Sequence, residues 1–311
     1  MSAPYDHEAL WTKAKLFIDR AMDDSSARDF DERAFWAATS LELLAKAALA
    51  KYSPLLIAEP TEDGLNILIA SGLVAGQARF STVMAKTLWK RCQKAFKPFS
   101  EDQAKLIAAG RNEYLHGGES GFGPLPEDIW WQKYWAQAVI LVTALDKDVS
   151  QFVGYPRFQT VEDYLDKNAR GLEHQYSVLV ERAKQRLLQR ASGRMTADVE
   201  RELSDPRPLT ASMVHSAAAE CPACGEVGVI EGDEVIDTRW EPSRVFHPNR
   251  DNDFGYDIIV TLSVNSEYFS CSNCRLVLNR FELIDISDLP NDFETPGDVD
   301  DIDIEAEYGN D

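Results

Sequence analysis

Two C-x-x-C pairs, Cys221-Pro222-Ala223-Cys224 and Cys271-Ser272-Asn273-Cys274, constrain this 311-residue chain more than any other feature. Each pair bends the backbone into a tight knuckle that presents two thiolates, and two knuckles complete a tetrahedral sulfur set of the kind that holds zinc. Four thiolates leave no open coordination position, so the expected role of the metal is structural and not catalytic. Disulfides are the weaker reading, because nothing else in the chain points to an oxidising compartment. Cys92 stands alone and is expected to be a buried, inert thiol. His247 is not needed as a ligand, and His7, His174 and His215 read as ordinary surface or core histidines.

The 46 residues between the pairs are β-type. Val227-Gly228-Val229-Ile230, Glu234-Val235-Ile236 and Tyr256 to Leu262 are short β-branched runs set between Gly, Asn, Asp and Pro clusters. A small β-rich domain is therefore expected over residues 211–284. Upstream, residues 156–210 are mixed in charge and helical, and Asp205-Pro206-Arg207-Pro208 breaks them off as a linker.

Charge divides the chain again. Of 52 acidic residues, 12 lie between Phe281 and Asp311, where there is no Lys or Arg; the other 280 residues carry 40 acidic against 32 basic. The formal charge of −20 is thus largely the work of a tail. Residues 285–311, acidic and nearly free of aromatics, are expected to be disordered, serving solubility or mimicking a phosphate backbone. A mildly acidic body argues against indiscriminate nucleic-acid binding and leaves room for a local basic groove.

Residues 1–155 read as an all-α bundle. Apolar residues recur at helical spacing from Leu10 to Ala21, and from Phe35 to Leu49 behind a cap at Asp31. Further helical segments are Leu65 to Leu73 and Phe80 to Phe96, the latter with Val83, Met84 and Leu88 inward. Ser100-Glu101-Asp102-Gln103 is a capping-box pattern that opens a helix through Leu115, closed by Gly117-Gly118. A last long helix starts near Glu127 and carries an apolar stripe from Trp131 to Val149. At 44% apolar and 10% aromatic residues, the chain has material for a packed core and cannot be wholly disordered. No apolar run reaches the ~18–20 residues of a membrane span. The N-terminus shows no basic stretch ahead of an apolar core, so a soluble, cytosolic protein without signal peptide or membrane partner is expected.

The sharpest chemical signal is Arg111-Asn112-Glu113-Tyr114-Leu115-His116. In a helix Asn112 and His116 are four apart and share a face, so the amide can orient the imidazole. His116 lies in the last turn, where the helix C-terminus favours the imidazolium. Arg111 supplies a planar fork suited to phosphate oxygens. A proton-transfer group, an anion clamp and an orienting amide together suit metal-free RNA cleavage, in which the 2′-OH attacks its own phosphodiester.

An all-α bundle with this Arg-Asn-x-x-x-His late in its third major helix resembles the HEPN domain superfamily. Ser40 to Leu49, with Glu42 and Lys46 four residues apart, resembles that family's second-helix signature. The likeness covers roughly residues 5–153. It implies a metal-independent endoribonuclease, with Arg111, Asn112 and His116 catalytic and Glu42 and Lys46 in support. It also implies a homodimer that brings two motifs to one cleft. By the same analogy the chain is a prokaryotic toxin or phage-defence effector with a protein inhibitor or antitoxin. Glu42 and Lys46 otherwise read as a plain i, i+4 ion pair. The cysteine-bearing part resembles a zinc ribbon, with Arg275 standing where glycine is usual; such ribbons either bind nucleic acid or dock on protein.

The stripes Lys86/Lys90/Lys94 and Arg182/Arg186/Arg190/Arg194 either track an RNA backbone or are solvated helix faces. Trp130, Trp131 and Trp135 read as core or dimer interface before base-stacking platform. The alternative to the nuclease is a non-catalytic module that binds nucleotide or protein, with the ribbon recruiting a partner.

Overall fold

The computed structural model describes residues 5–23, 28–74, 80–116, 125–193, 200–201, 209–246 and 254–301. Side chains are described for all of these except 112, 113, 115, 116, 244–246 and 254–257. The chain divides into two compact units, Met1–Arg170 and Gly171–Asp311.

The first unit is helical. Its elements are α1 (His7–Ala21), α2 (Phe30–Tyr52), a 3-10 turn (Pro54–Ile57), α3 (Leu65–Ala70), α4 (Ala85–Ala95), α5 (Glu101–His116), α6 (Glu127–Ala144), α7 (Val149–Val153) and the first half of α8 (Tyr155–Ala191). Helix α2 is the axle, packing against α1, α4, α5 and α6. Its alanines 34, 37, 38, 45, 47, 48 and 50 are buried and let the neighbouring helices come close, while Leu41 and Leu44 fill the gaps between them. Each such leucine contributes roughly 1.5–3 kcal/mol by leaving water. Trp130, Trp131, Tyr134 and Trp135 of α6 are all buried in this core, so the tryptophan cluster is packing material and no base-stacking platform.

Several local expectations shift. Asp29, not Asp31, caps α2, its carboxylate accepting from the Glu32 amide at 2.9 Å. Helix α4 starts at Ala85 and not Phe80; Thr82 pairs with Ala58 as an isolated bridge. Met84 therefore sits at the N-cap and is 68% exposed instead of inward, because helical phase does not reach it. At α5 the capping box is half formed. The Gln103 amide donates to Ser100 Oγ at 3.3 Å, but the Ser100 amide donates to Gln137 Oε1 at 2.7 Å. The stripe read through Val149 is broken after Ala144, where Asp146 takes a left-handed φ of 55° and Asp148 opens α7 with its own capping box.

The expected connector over 156–210 is, through Ala191, the single helix α8. Val161, Tyr164 and Leu165 belong to the first unit's core, Val180 and Ala183 to the second's. The linker at Asp205–Pro208 lies outside the described residues.

Besides the second half of α8, the second unit holds two antiparallel sheets. One has the strand order β1 (His215–Glu220), β2 (Val227–Gly232), β5 (Tyr268–Ser270), β6 (Val277–Leu278); the other has β3 (Val235–Phe246), β4 (Phe254–Asn265), β7 (Asp292–Gly297). Between β6 and β7 runs the short helix α9 (Phe281–Asp285), whose Leu283 and Ile284 are fully buried. Gly232 permits the sheets' close approach: a Cβ there would lie 1.9 Å from the Asn265 carbonyl oxygen.

The expectation of a disordered tail over residues 285–311 is overturned for residues 285–301. β7 is paired along β4, Phe293 opposite Val264 and Gly297 opposite Val260. Phe293 and Leu289 are buried in the core. β7, a polar strand whose one large apolar side chain is Phe293, is ordered here because β4 offers it an unpaired row of backbone donors and acceptors. Residues 302–311 lie outside the described residues.

Candidate functional site

Two clusters carry chemistry, one in each unit. In the second unit, Cys221 and Cys224 form the turn between β1 and β2, and Cys271 and Cys274 the turn between β5 and β6. Each knuckle is closed by the same backbone bond. Gly225 donates to the Cys221 carbonyl and Arg275 to the Cys271 carbonyl, both at 2.9 Å. Gly225 takes φ 74° and Arg275 φ 61°. Arg275 thus adopts the left-handed turn that glycine makes without strain. Its carbonyl accepts from Arg186 at 3.4 Å.

The four sulfurs lie within 4.8 Å of one another, with Cys221–Cys274 at 3.6 Å and Cys224–Cys271 at 3.7 Å. Sulfurs at ~2.3 Å from a tetrahedrally bound zinc are about 3.8 Å apart, so the donor set fits such an ion. The four cysteines could hold a metal such as zinc. The Cys274 thiol donating to Cys221 holds Cys221 down to about 5 and raises its own pKa, while burial pushes Cys271 up to about 11. A bound dication would remove the remaining protons. Asn273 Nδ2 lies 3.6 Å from Cys224 Sγ as a further donor to the sulfur cage. Sequence reading missed Asn273; an amide inside a C-x-x-C pair is the signal that could have found it.

In the first unit, helix periodicity places Arg111 on the stripe of buried Ala104 and Ile107, seven and four residues before it. That stripe faces α2, so a charge at 111 needs a partner there. Glu42 of α2 supplies it, pairing with Arg111 and holding Lys46 Nζ at 2.8 Å. The three side chains are 18%, 19% and 15% exposed in the order Glu42, Arg111, Lys46. Burial pushes the Glu42 carboxyl up, but Lys46 and Arg111 outweigh it and leave the pKa below the ordinary 4.5. Glu42 therefore stays a carboxylate bridging two cations.

The helix continues through His116. Residues 111 and 116 are about 140° apart around the axis, and 112 and 116 about 40° apart. The side chains of Asn112 and His116, and Gly117-Gly118 beyond them, lie outside the described residues. Lys86, Lys90 and Lys94 are all exposed along α4. In the arginine stripe, Arg182 and Arg190 are exposed, Arg186 is tied to the second knuckle, and Arg194 is outside the described residues. Cys92 is fully buried against the Ala45 carbonyl, and burial pushes its thiol up to about 12, which makes it inert. His7 sits between Asp6 and Glu8, His174 is exposed, His215 is half-buried at the start of β1, and His247 is outside the described residues.

Compared with protein-family models, with curated proteins and with solved structures, the chain finds no match. Among the described residues no helix is long and apolar enough to cross a membrane.

Proposed function

We propose that the first unit is a HEPN-type, metal-independent endoribonuclease and the second a zinc-ribbon-like domain held by one structural zinc. The observation that carries the reading is that Glu42–Lys46 and Arg111, 69 residues apart between Glu42 and Arg111, meet in one ion-pair cluster. These belong to the two segments whose sequences carry the family resemblance. Arg111 stabilises the pentacovalent phosphate, His116 moves the protons, Asn112 orients His116, and Glu42 with Lys46 positions Arg111. Because positions 111 and 116 lie about 140° apart around one helix axis, a second copy of the chain is the natural source of the opposite group. The Lys86/Lys90/Lys94 face lies one helix upstream and offers cations to the RNA backbone.

The decisive experiment incubates the full-length protein with RNA in EDTA and checks zinc content afterwards. Cleavage should persist and leave 2′,3′-cyclic phosphate ends. His116→Ala and Arg111→Ala should abolish it, and so should Arg111→Lys, which keeps the charge but loses the two-point grip. Asn112→Ala should be milder. If His116→Ala cuts RNA as fast as wild type, the assignment is wrong. One observation favours the second reading, a non-catalytic module: Glu42 already occupies the Arg111 guanidinium that a phosphate would need.

A further inference from the structure

The short helix α3 is built inside out. Its one polar residue, Asn66, is buried: Nδ2 donates to the Glu59 carbonyl at 3.0 Å, and Oδ1 accepts from the Ser81 amide at 3.2 Å. Ile69 and Ala70, three and four residues on, share that inward face and pack against the first unit's core. Leu65, Ile67 and Leu68 are left on the outer face, 38–45% exposed. The 3-10 turn packed beside α3 adds exposed Leu55 and Leu56. Leu73, 77% exposed, follows where its amide bonds back to the Leu68 carbonyl at 3.1 Å. Single apolar residues on a surface are ordinary. Six together, around a helix whose polar side chain is already used inside, mark an interaction surface.

The patch is basic beside one of its elements and acidic beside the other. Arg91 of α4 lies against the 3-10 turn, its Nη1 donating to the Leu56 carbonyl at 2.5 Å, which leaves most of its five N–H donors over. Glu62 and Asp63 lead into α3, Asp63 accepting from the Leu65 amide at 3.1 Å. Among the described residues neither acid meets a cation, and Arg91 meets no carboxylate. A two-fold axis presents a surface to its own copy in reversed order. Laying α3 of one chain on the 3-10 turn of another therefore sets aliphatic side chains against each other and Glu62 and Asp63 against Arg91, twice over. A bilayer is the poorer occupant. Helices that lie in one flank their apolar face with Lys and Arg, and anionic headgroups repel an acidic turn.

We propose that the 3-10 turn and α3 form a two-fold interface with a second copy of this chain, with Glu62 and Asp63 of each copy against Arg91 of the other. Six aliphatic side chains and a few charges put it at the small end of specific interfaces, below about 1,200 Å² in total, where association is weak and a dimer forms at micromolar concentration. The interface uses neither Arg111 nor His116 and stands whether or not the chain cleaves RNA.

Sedimentation equilibrium of the full-length protein over roughly 1–200 µM, a range that brackets micromolar affinity, tests it. Wild type should pass from monomer to dimer. Leu68→Glu should weaken the dimer about thirtyfold, the loss expected at an interface hot spot. Leu73→Glu, which lies outside the helix, should do the same, and both should leave the circular dichroism unchanged because the side chains are exposed. Glu62→Arg and Arg91→Glu should each weaken it, and the double variant should recover most of the loss, which no purely structural effect would produce. A wild type that stays monomeric across the range, a dimer that persists in both leucine variants, or a charge swap that recovers nothing would overturn the proposal. A monomer that co-sediments with phosphatidylcholine vesicles containing roughly 30% phosphatidylserine would overturn it in favour of the bilayer. The outcomes are separable from RNA cleavage. A nuclease whose dimer survives both leucine variants sinks this interface alone, and a dimer that they dissolve, in a protein that cuts no RNA, sinks only the nuclease.

Discussion

Replacing Glu42 with glutamine tests the charge cluster directly. The substitution keeps the shape of the side chain and removes its charge, so Arg111 and Lys46 are left as like charges without their shared partner. Breaking a fully buried pair costs about 3–5 kcal/mol, whereas a solvent-exposed pair is worth about 0–1. With all three side chains between 15% and 19% exposed, the expected loss lies between those limits, at roughly 2–3 kcal/mol. For a unit of this size one kcal/mol moves the Tm by about 2–4 °C, so the first unit should melt roughly 5–10 °C lower. Tryptophan fluorescence isolates that unit, because Trp240 alone of the seven tryptophans lies outside it. The pH dependence has a fixed sign. Glu42 titrates below 4.5 in the folded chain, so its stabilisation is fully present above pH 4.5 and is lost as pH falls through the lower folded value. The gap between wild type and Glu42→Gln should accordingly be constant near neutrality and close on acidification. A Tm difference under about 1 °C at pH 7, or a gap that widens in acid, would refute the bridging role.

Cys221→Ser should release about one zinc per chain and unfold the sheets of the second unit while the first keeps its helical signal; metal analysis with circular dichroism reads both, and freshly purified protein without zinc would sink the assignment. Gly232→Ala should destabilise the second unit by more than 1 kcal/mol, since its Cβ would meet the Asn265 carbonyl oxygen, a backbone atom that cannot step aside. Equal midpoints in urea would contradict that. Truncation after Asp285 should strip β4 of its partner and speed amide exchange at residues 260–265, whereas truncation after Asp301 should leave exchange there unchanged. Light scattering on the full chain at micromolar concentration should give a dimer; a strict monomer, also with RNA present, would count against a shared cleft.

Much of this protein is legible in its residues because the relevant physics is local. Apolar positions recurring at helical spacing mark α1, α2, α5 and α6, since a helix buries one stripe and each residue's place on it follows from a fixed rotation. The C-x-x-C pairs mark the two knuckles for the same reason: four residues suffice to make the turn and set two sulfurs at bonding distance. The tertiary structure alone decides whatever depends on a partner far along the chain. Asp292 to Gly297 carries almost no strand signal, yet β4 presents it with a row of backbone groups to pair. The start of α4 is moved by the pairing of Thr82 with Ala58. Arg111 looks like a free phosphate ligand in the sequence and becomes one arm of an ion-pair cluster only when α5 packs on α2. Arg33 and Glu127 share no pattern along the chain, and only the packing of α2 against α6 brings them to 3.3 Å. Periodicity reports which side of an element turns inward; it holds no information about which distant residue waits there.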